Sequence, residues 1–432
     1  MESKVSLLRN NRTFRRSVWL MVLVGIPIGL GYHSLRQRAI NNILIADVEA
    51  GDTAAVMSML RQGADVNSRK EAEDTLTPLQ HLIALVYALG GRRYEEKATS
   101  SALALAVSQN ETEIALALLN RGAEGVDDLV QVTEIGASSR SRVNYKPLLI
   151  MAAGNGNLEL VRALLDHGAQ VDNLMIRTRE AAAETALLTV SYSTYLSVDK
   201  KQLTAANRKE RAERYLAVFR LLLDRGAWIK SWNAEYTSVL ASAVQNDQVE
   251  EVALLLARGA DPNGPGYWPT LHLAVENGNI GIVNALFAAG AKIDPKDTTH
   301  TPLYYTSDVA LMRLLVEHGA NIEGHGYASN EDYTPLMQSA GNNALPAVQF
   351  LLSHGADPNI HTGRGTTALM LAAQKANADV VRYLLDHGAD IHARNGAGGQ
   401  SVLGFAAENQ DQSVAALLKS RGGRKSGDNA GQ

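Results

Sequence analysis

Four histidines sit where imidazole chemistry is first suspected: His167, His318, His354 and His387 each directly precede a glycine. Imidazole at such positions can bind a metal, shuttle a proton or close a helix end. The spacing excludes convergence on one metal, because each histidine belongs to a different copy of a recurring segment. A histidine in a last helical turn instead bonds the free carbonyls there and favours the helix dipole. The looser group His318, His325 and His361 lacks metal-ligand spacing and acidic or thiolate partners. The 432 residues contain no cysteine, which removes disulfides, thiolate metal sites and a cysteine nucleophile. No Gly-x-Ser-x-Gly, phosphate-binding glycine loop or His-Glu-x-x-His is present. The expectation is a non-catalytic chain with neither cofactor nor metal.

Binding chemistry has better candidates. Aromatic residues make up only 5% of the chain, yet Trp228, Trp232 and Trp268 lie close together. Tyr236, Tyr267, Tyr304, Tyr305, Tyr327 and Tyr333 extend the series. Tryptophan and tyrosine carry large rigid contact area and are enriched in interaction hot spots. The basic stretch Lys200, Lys201, Arg208, Lys209, Arg211 and Arg214 is interspersed with Glu210 and Glu213, which reads as a solvated helix face. A net charge of −4 gives no reason to expect nucleic acid.

The elements that position these residues are set by a recurring Leu-Leu…Gly-Ala. It appears at Leu118-Leu119…Gly122-Ala123, Leu164-Leu165…Gly168-Ala169, Leu222-Leu223…Gly226-Ala227 and Leu255-Leu256…Gly259-Ala260. It returns at Gly319, Gly355 and Gly388, with degenerate copies at Gly63, Gly290 and Gly422. From Gly226 the glycines are 33, 31, 29, 36, 33 and 34 residues apart, and a period near 33 signals stacked helical repeats. In one copy Thr334 caps a first helix and Pro335 suits its first turn. Pro346 opens a second helix whose buried face is Val348, Leu351 and Leu352. Gly355 ends it in a left-handed conformation. Asp357-Pro358-Asn359 turns the chain onward.

These motifs resemble the ankyrin repeat. Thr77-Pro78-Leu79, Thr301-Pro302-Leu303, Thr334-Pro335-Leu336 and Thr367-Ala368-Leu369 match its opening, as does Leu271-His272-Leu273-Ala274. Gly63-Ala64-Asp65-Val66-Asn67, Gly259-Ala260-Asp261-Pro262-Asn263, Gly355-Ala356-Asp357-Pro358-Asn359 and Gly388-Ala389-Asp390-Ile391-His392 match its close. The resemblance implies an all-α solenoid of helix-turn-helix repeats with short β-turn fingers, about ten in number. It also implies that His272 ties neighbouring loops together. It further implies a protein partner held by the fingers, here through Trp228, Trp232, Tyr236, Tyr267, Trp268, Tyr305, Tyr327 and Tyr333.

Residues 231–422 are regular except at Thr301, where 18 residues precede the closing glycine against 21 elsewhere, so the first helix or turn is shortened. Residues 37–230 are irregular. Thr77 opens a helix running to about Leu89, so the second repeat has a split first helix or an extra one before it. Residues 125–145 read as an extended loop. Residues 191–214 read as an insertion ahead of a helix at 215–225, placed either to bind or to brace the stack. The last repeat has a polar second helix, suited to a cap, and residues 423–432 read as a disordered tail.

Ahead of the repeats, residues 1–16 carry five basic residues and one acid. Residues 17–35 are then uncharged, and as a helix they span about 28 Å, near the thickness of a bilayer core. The run reads as a transmembrane signal anchor, with residues 1–16 cytoplasmic and the repeats on the far side, the periplasmic face of a bacterial inner membrane. Two other readings of the same residues are a signal peptide cleaved near Gly29-Leu30-Gly31 and a buried helix of the first domain. Function stays open between a tethered protein-binding module, a ligand-binding or enzymatic accessory protein built on the 70–100 and 191–214 insertions, and a cytoplasmic or secreted adaptor.

Overall fold

Short helices in pairs, each pair closed by a left-handed glycine, build the chain. A computed structural model describes residues 29–70, 101–135, 141–173, 176–177, 185–196, 205–231, 237–264, 269–293, 301–325, 332–396, 399–408 and 412–424. The chain divides into two units, Met1–Ala234 and Glu235–Gln432.

In the N-terminal unit the pairs are α1 (Gly29–Glu49) with α2 (Thr53–Arg61), then α3 (Ala102–Ser108) with α4 (Thr112–Leu119). Strands β1 (Leu129–Ile135) and β2 (Ser141–Pro147) follow, then α5 (Leu148–Gly154) with α6 (Leu158–Asp166). Strand β3 (Ile176–Arg177) precedes α7 (Ala186–Leu196) and α8 (Ala205–Asp224). First helices pack in the order α1, α3, α5, α7 and second helices in the order α2, α4, α6, α8. The seam is apolar: Leu44, Val48, Val107, Leu118, Leu148, Leu160, Leu164 and Phe219 are fully buried.

The C-terminal unit repeats the pattern with α9 (Val239–Gln245), α10 (Val249–Ala257), α11 (Thr270–Glu276) and α12 (Ile280–Ala288). A 3-10 turn, Pro302–Tyr305, comes before α13 (Val309–Glu317). Then come α14 (Pro335–Gly341), α15 (Leu345–Ser353), α16 (Ala368–Gln374), α17 (Ala378–Asp386), α18 (Val402–Ala407) and α19 (Ser413–Ser420). The shortening expected after Thr301 is therefore a first helix reduced to one 3-10 turn, which still packs between α11 and α14.

Capping explains where the helices begin. Hydroxyls of Ser101, Ser238, Thr334, Thr367 and Ser401 accept the N–H of the residue three positions on. Each satisfies one of the donors a helix start leaves open. Closure is equally regular. Gly355 has φ +95°, and Ala356 N–H donates to the Leu351 carbonyl at 3.0 Å, a Schellman arrangement. All ten closing glycines, from Gly63 to Gly422, have φ between +82° and +95°, and an added Cβ would meet nothing within 4 Å. Glycine is thus required there by backbone conformation alone, since nothing crowds the position.

In the irregular half two expectations change, and a third lies outside the described residues. The first helix of the second repeat is α3, capped by Ser101, and Arg69 bridges Ser101 across the segment 71–100. The expected helix at Thr77 lies outside the described residues. The segment 125–145, expected as a loop, carries strand β1 and most of β2. The two pair antiparallel from Leu129↔Pro147 to Ile135↔Ser141, and β3 adds at Tyr145↔Ile176. The alternation of Leu129, Val130, Gln131, Val132 and Thr133 supports a strand, a signal that the repeat period obscures. Within 191–214, the chain extends α7 to Leu196 and starts α8 at Ala205, ten residues before the expected helix. Arg211 donates through Nη2 to the Ser193 carbonyl at 3.0 Å and lies over the Tyr215 ring, so the extension braces α7 against α8.

No described helix is long and apolar enough to cross a membrane. Residues 1–28, which contain most of the expected span, and the expected tail from 425 lie outside the described residues. Helix α1 (Gly29–Glu49) runs through Arg36 and Arg38 without a break and buries Ile40, Leu44, Ile45 and Val48.

Two substitutions probe this architecture. Leu351→Ala empties a fully buried site and is expected to cost about 3 kcal/mol in urea unfolding followed by circular dichroism. Ala376 sits between α16 and α17 at φ +58°, where the equivalent turn before α12 uses Gly278. Ala376→Gly is expected to stabilise the chain by about 0.5–1 kcal/mol, read from the same curves.

Candidate interaction surface

The fingers are held to one another by a recurring bond that the sequence reading missed. Four or five residues after its own closing glycine, a finger supplies a side-chain oxygen at six described places. That oxygen accepts the backbone N–H two residues after the next closing glycine. In the N-terminal unit the bonds are Asn67 to Glu124 N–H (2.8 Å), Asp127 to Gln170 N–H (2.9 Å) and Asp172 to Trp228 N–H (2.8 Å). In the C-terminal unit they are Asn263 to Lys292 N–H (2.8 Å), Glu323 to Asp357 N–H (2.7 Å) and Asn359 to Asp390 N–H (2.8 Å). Asn263 and Asn359 use both ends of the amide, since their Nδ2 also donate to the carbonyls of Gly290 and Gly388. The Asp-x-Asn segments also make the expected local turn, with Asp261 accepting Asn263 N–H and Asp357 accepting Asn359 N–H, both at 2.8 Å. Recurrence of Asn or Asp four or five residues after the closing glycine was the available signal.

This ladder positions the first candidate ring. Trp228 is fixed at its N–H by Asp172, and its carbonyl accepts the Ser231 hydroxyl at 3.2 Å. Ser231 in turn meets the Thr185 hydroxyl at 3.2 Å. With its backbone tied on both sides, Trp228 remains 52% exposed. Tyr305 behaves differently. It is half-buried on the 3-10 turn, edge-on to His272 at 5.8 Å and to the buried Tyr304 at 5.1 Å, and so seals the space left by the shortened helix. Tyr333 is half-buried beside the Thr334 cap. Trp232, Tyr236, Tyr267, Trp268 and Tyr327 lie outside the described residues.

The histidines close helices. His167, His318, His354 and His387 each place Nδ1 at 2.8–2.9 Å from the carbonyl four residues earlier. Three also stack on rings: His318 on Phe287, His354 on Phe350 and His387 on Tyr383, with centroids 3.8–4.0 Å apart. His272, expected to tie neighbouring loops, is buried and packs against Tyr305. Among the described residues no group of three His, Asp or Glu is placed to hold a metal ion.

Comparison with known proteins agrees with this geometry. A family model described as ankyrin repeats matches three times, at residues 203–297, 271–362 and 336–427, and a single-repeat model matches 145–177. Similar relatives include an ankyrin repeat and KH domain-containing protein of Caenorhabditis elegans, 26% identical over 63% of this chain and 10% of that protein. The B-cell lymphoma 3 protein homolog of Mus musculus is 31% identical over 24% of each chain. A putative ankyrin repeat-containing protein of Treponema pallidum is 32% identical over 23% of this chain and 34% of its own. The chain thus spans about a third or less of these relatives. Among solved structures it is similar to the ankyrin repeat domain of human ASB11, at 27% identity and a TM-score of 0.44, covering 50% of this chain and 96% of that one. The ankyrin-repeat model alone accounts for more than half of the residues, and the chain belongs to the ankyrin-repeat family.

Proposed function

We propose that this chain is a non-catalytic, membrane-tethered module that binds a protein partner through aromatic residues on its fingers. Ankyrin-repeat proteins in general bind proteins, and the observation that carries the reading here is Trp228. A large apolar ring held in the open by a bonded backbone loses little conformational freedom on binding, which is how an anchor residue gains affinity. Trp232, Tyr236, Tyr267, Trp268, Tyr327 and Tyr333 are the further candidates that residue type selects.

The tether rests on the uncharged run 17–35 behind a basic N-terminus. The continuity of α1 supports it. Helix α1 takes in the last residues of that run and carries the buried Ile40, Leu44 and Val48, so one helix joins the run to the repeats. In this reading residues 1–16 are cytoplasmic and the repeats face the periplasm of a bacterial inner membrane.

Binding is tested by affinity capture with the full-length chain in mild detergent. Trp228→Ala is expected to reduce the recovered partner about tenfold. It should change unfolding stability by less than about 0.5 kcal/mol, because the ring is exposed. Equal recovery by the variant removes Trp228 from the surface. Topology is read by alkaline phosphatase fused after Gln432, which is expected to be active. An inactive phosphatase together with a fluorescent green protein at the same position places the repeats in the cytoplasm.

A further inference from the structure

One rung of the finger ladder differs chemically from the others in its unit. Asn263 and Asn359 each present an acceptor to the next finger's N–H and a donor to the carbonyl of its closing glycine. At the equivalent place stands Glu323, whose Oε1 accepts Asp357 N–H at 2.7 Å. Its Oε2 is buried and makes no hydrogen bond. An ionised carboxylate has no donor, so it reproduces only half of the amide rung and leaves a buried oxygen unsatisfied. A neutral carboxylic acid has both an acceptor oxygen and an O–H donor, the pattern of an amide.

We propose that Glu323 is a protonation-controlled rung: the neutral acid closes the contact between the finger at 319–325 and the finger at 355–359, and ionisation loosens it. The charged groups that reach Glu323 are Asp357 on the facing finger and His325 on its own. Burial raises the Glu323 carboxyl above its ordinary value, while the Asp357 N–H opposes the rise; the Asp357 charge adds to it and His325 counters it. The sign follows from a folded value lying above the unfolded one. The stabilising contribution is complete below the unfolded carboxylate value and is lost as pH rises through the folded one. His325 is tied to the same repeat through its carbonyl, which accepts Thr301 N–H at 2.9 Å, so loosening acts where this finger leads on towards Tyr327. This regulation is independent of which partner the surface binds.

The test is hydrogen exchange of the Asp357 amide in the full chain from about pH 4 to about pH 8, spanning the ordinary carboxylate range and above. Rates are corrected for intrinsic exchange at each pH. Protection in the native sequence is expected to fall about threefold to tenfold as pH rises. Glu323→Gln, which carries donor and acceptor at every pH, is expected to hold the low-pH protection throughout. A native response as flat as that of the glutamine variant overturns the proposal. A pH response that persists in Glu323→Gln assigns it to Asp357 or His325 and overturns it equally.

Discussion

Within each unit, neighbouring fingers are fastened at six described places by a side-chain oxygen that accepts one backbone N–H just past the following helix closure. The helices themselves are mostly seven to nine residues long, apart from α1, α7 and α8, too short to persist in water alone because the helix nucleus is costly. Their stability comes from stacking, and stacking requires neighbouring pairs to be held at fixed register. The ladder supplies that register on the finger side, and the apolar seam supplies the energy. The left-handed glycines place each acceptor at the start of its turn.

Because every rung joins adjacent repeats, contacts within each unit are near-neighbour contacts, as expected of a repeat array. Insertions are tolerated wherever they leave the ladder intact. Arg69 and Ser101, on either side of residues 71–100, pair in a bridge, and the Ser101 cap starts α3. The β1–β2 hairpin lengthens one finger while Asp127, just before it, still reaches Gln170 N–H. The shortened repeat keeps its place because Tyr304 and Tyr305 fill volume that a helical turn would occupy.

The same rule separates structural rings from a ring available for binding. Tyr305 lies within the stack and has neighbours on either side. Trp228 lies at a rung, where the backbone does the fastening and the side chain is left to solvent. A ladder position can also acquire chemistry without altering the fold, as Glu323 does by replacing an amide with an acid at an otherwise ordinary rung.

Sequence alone determined the repeat architecture, the closing glycines, the shortened repeat at Thr301 and the helix-closing histidines. Each of these depends on local conformation and spacing: a left-handed residue, a cap, an apolar period. It also selected Trp228, on residue type. It did not reveal the ladder, because Asn67 and Glu124 are 57 residues apart and their bond exists only after both repeats are stacked. The hairpin at 129–147 was hidden for a related reason, since strand pairing is a contact between segments and its alternation is brief beside the helical period. Tertiary structure alone decided that Tyr305 packs inside while Trp228 stands out, and that Oε2 of Glu323 is buried without a partner. Burial belongs to the assembled stack, and no single residue's neighbours in sequence specify it.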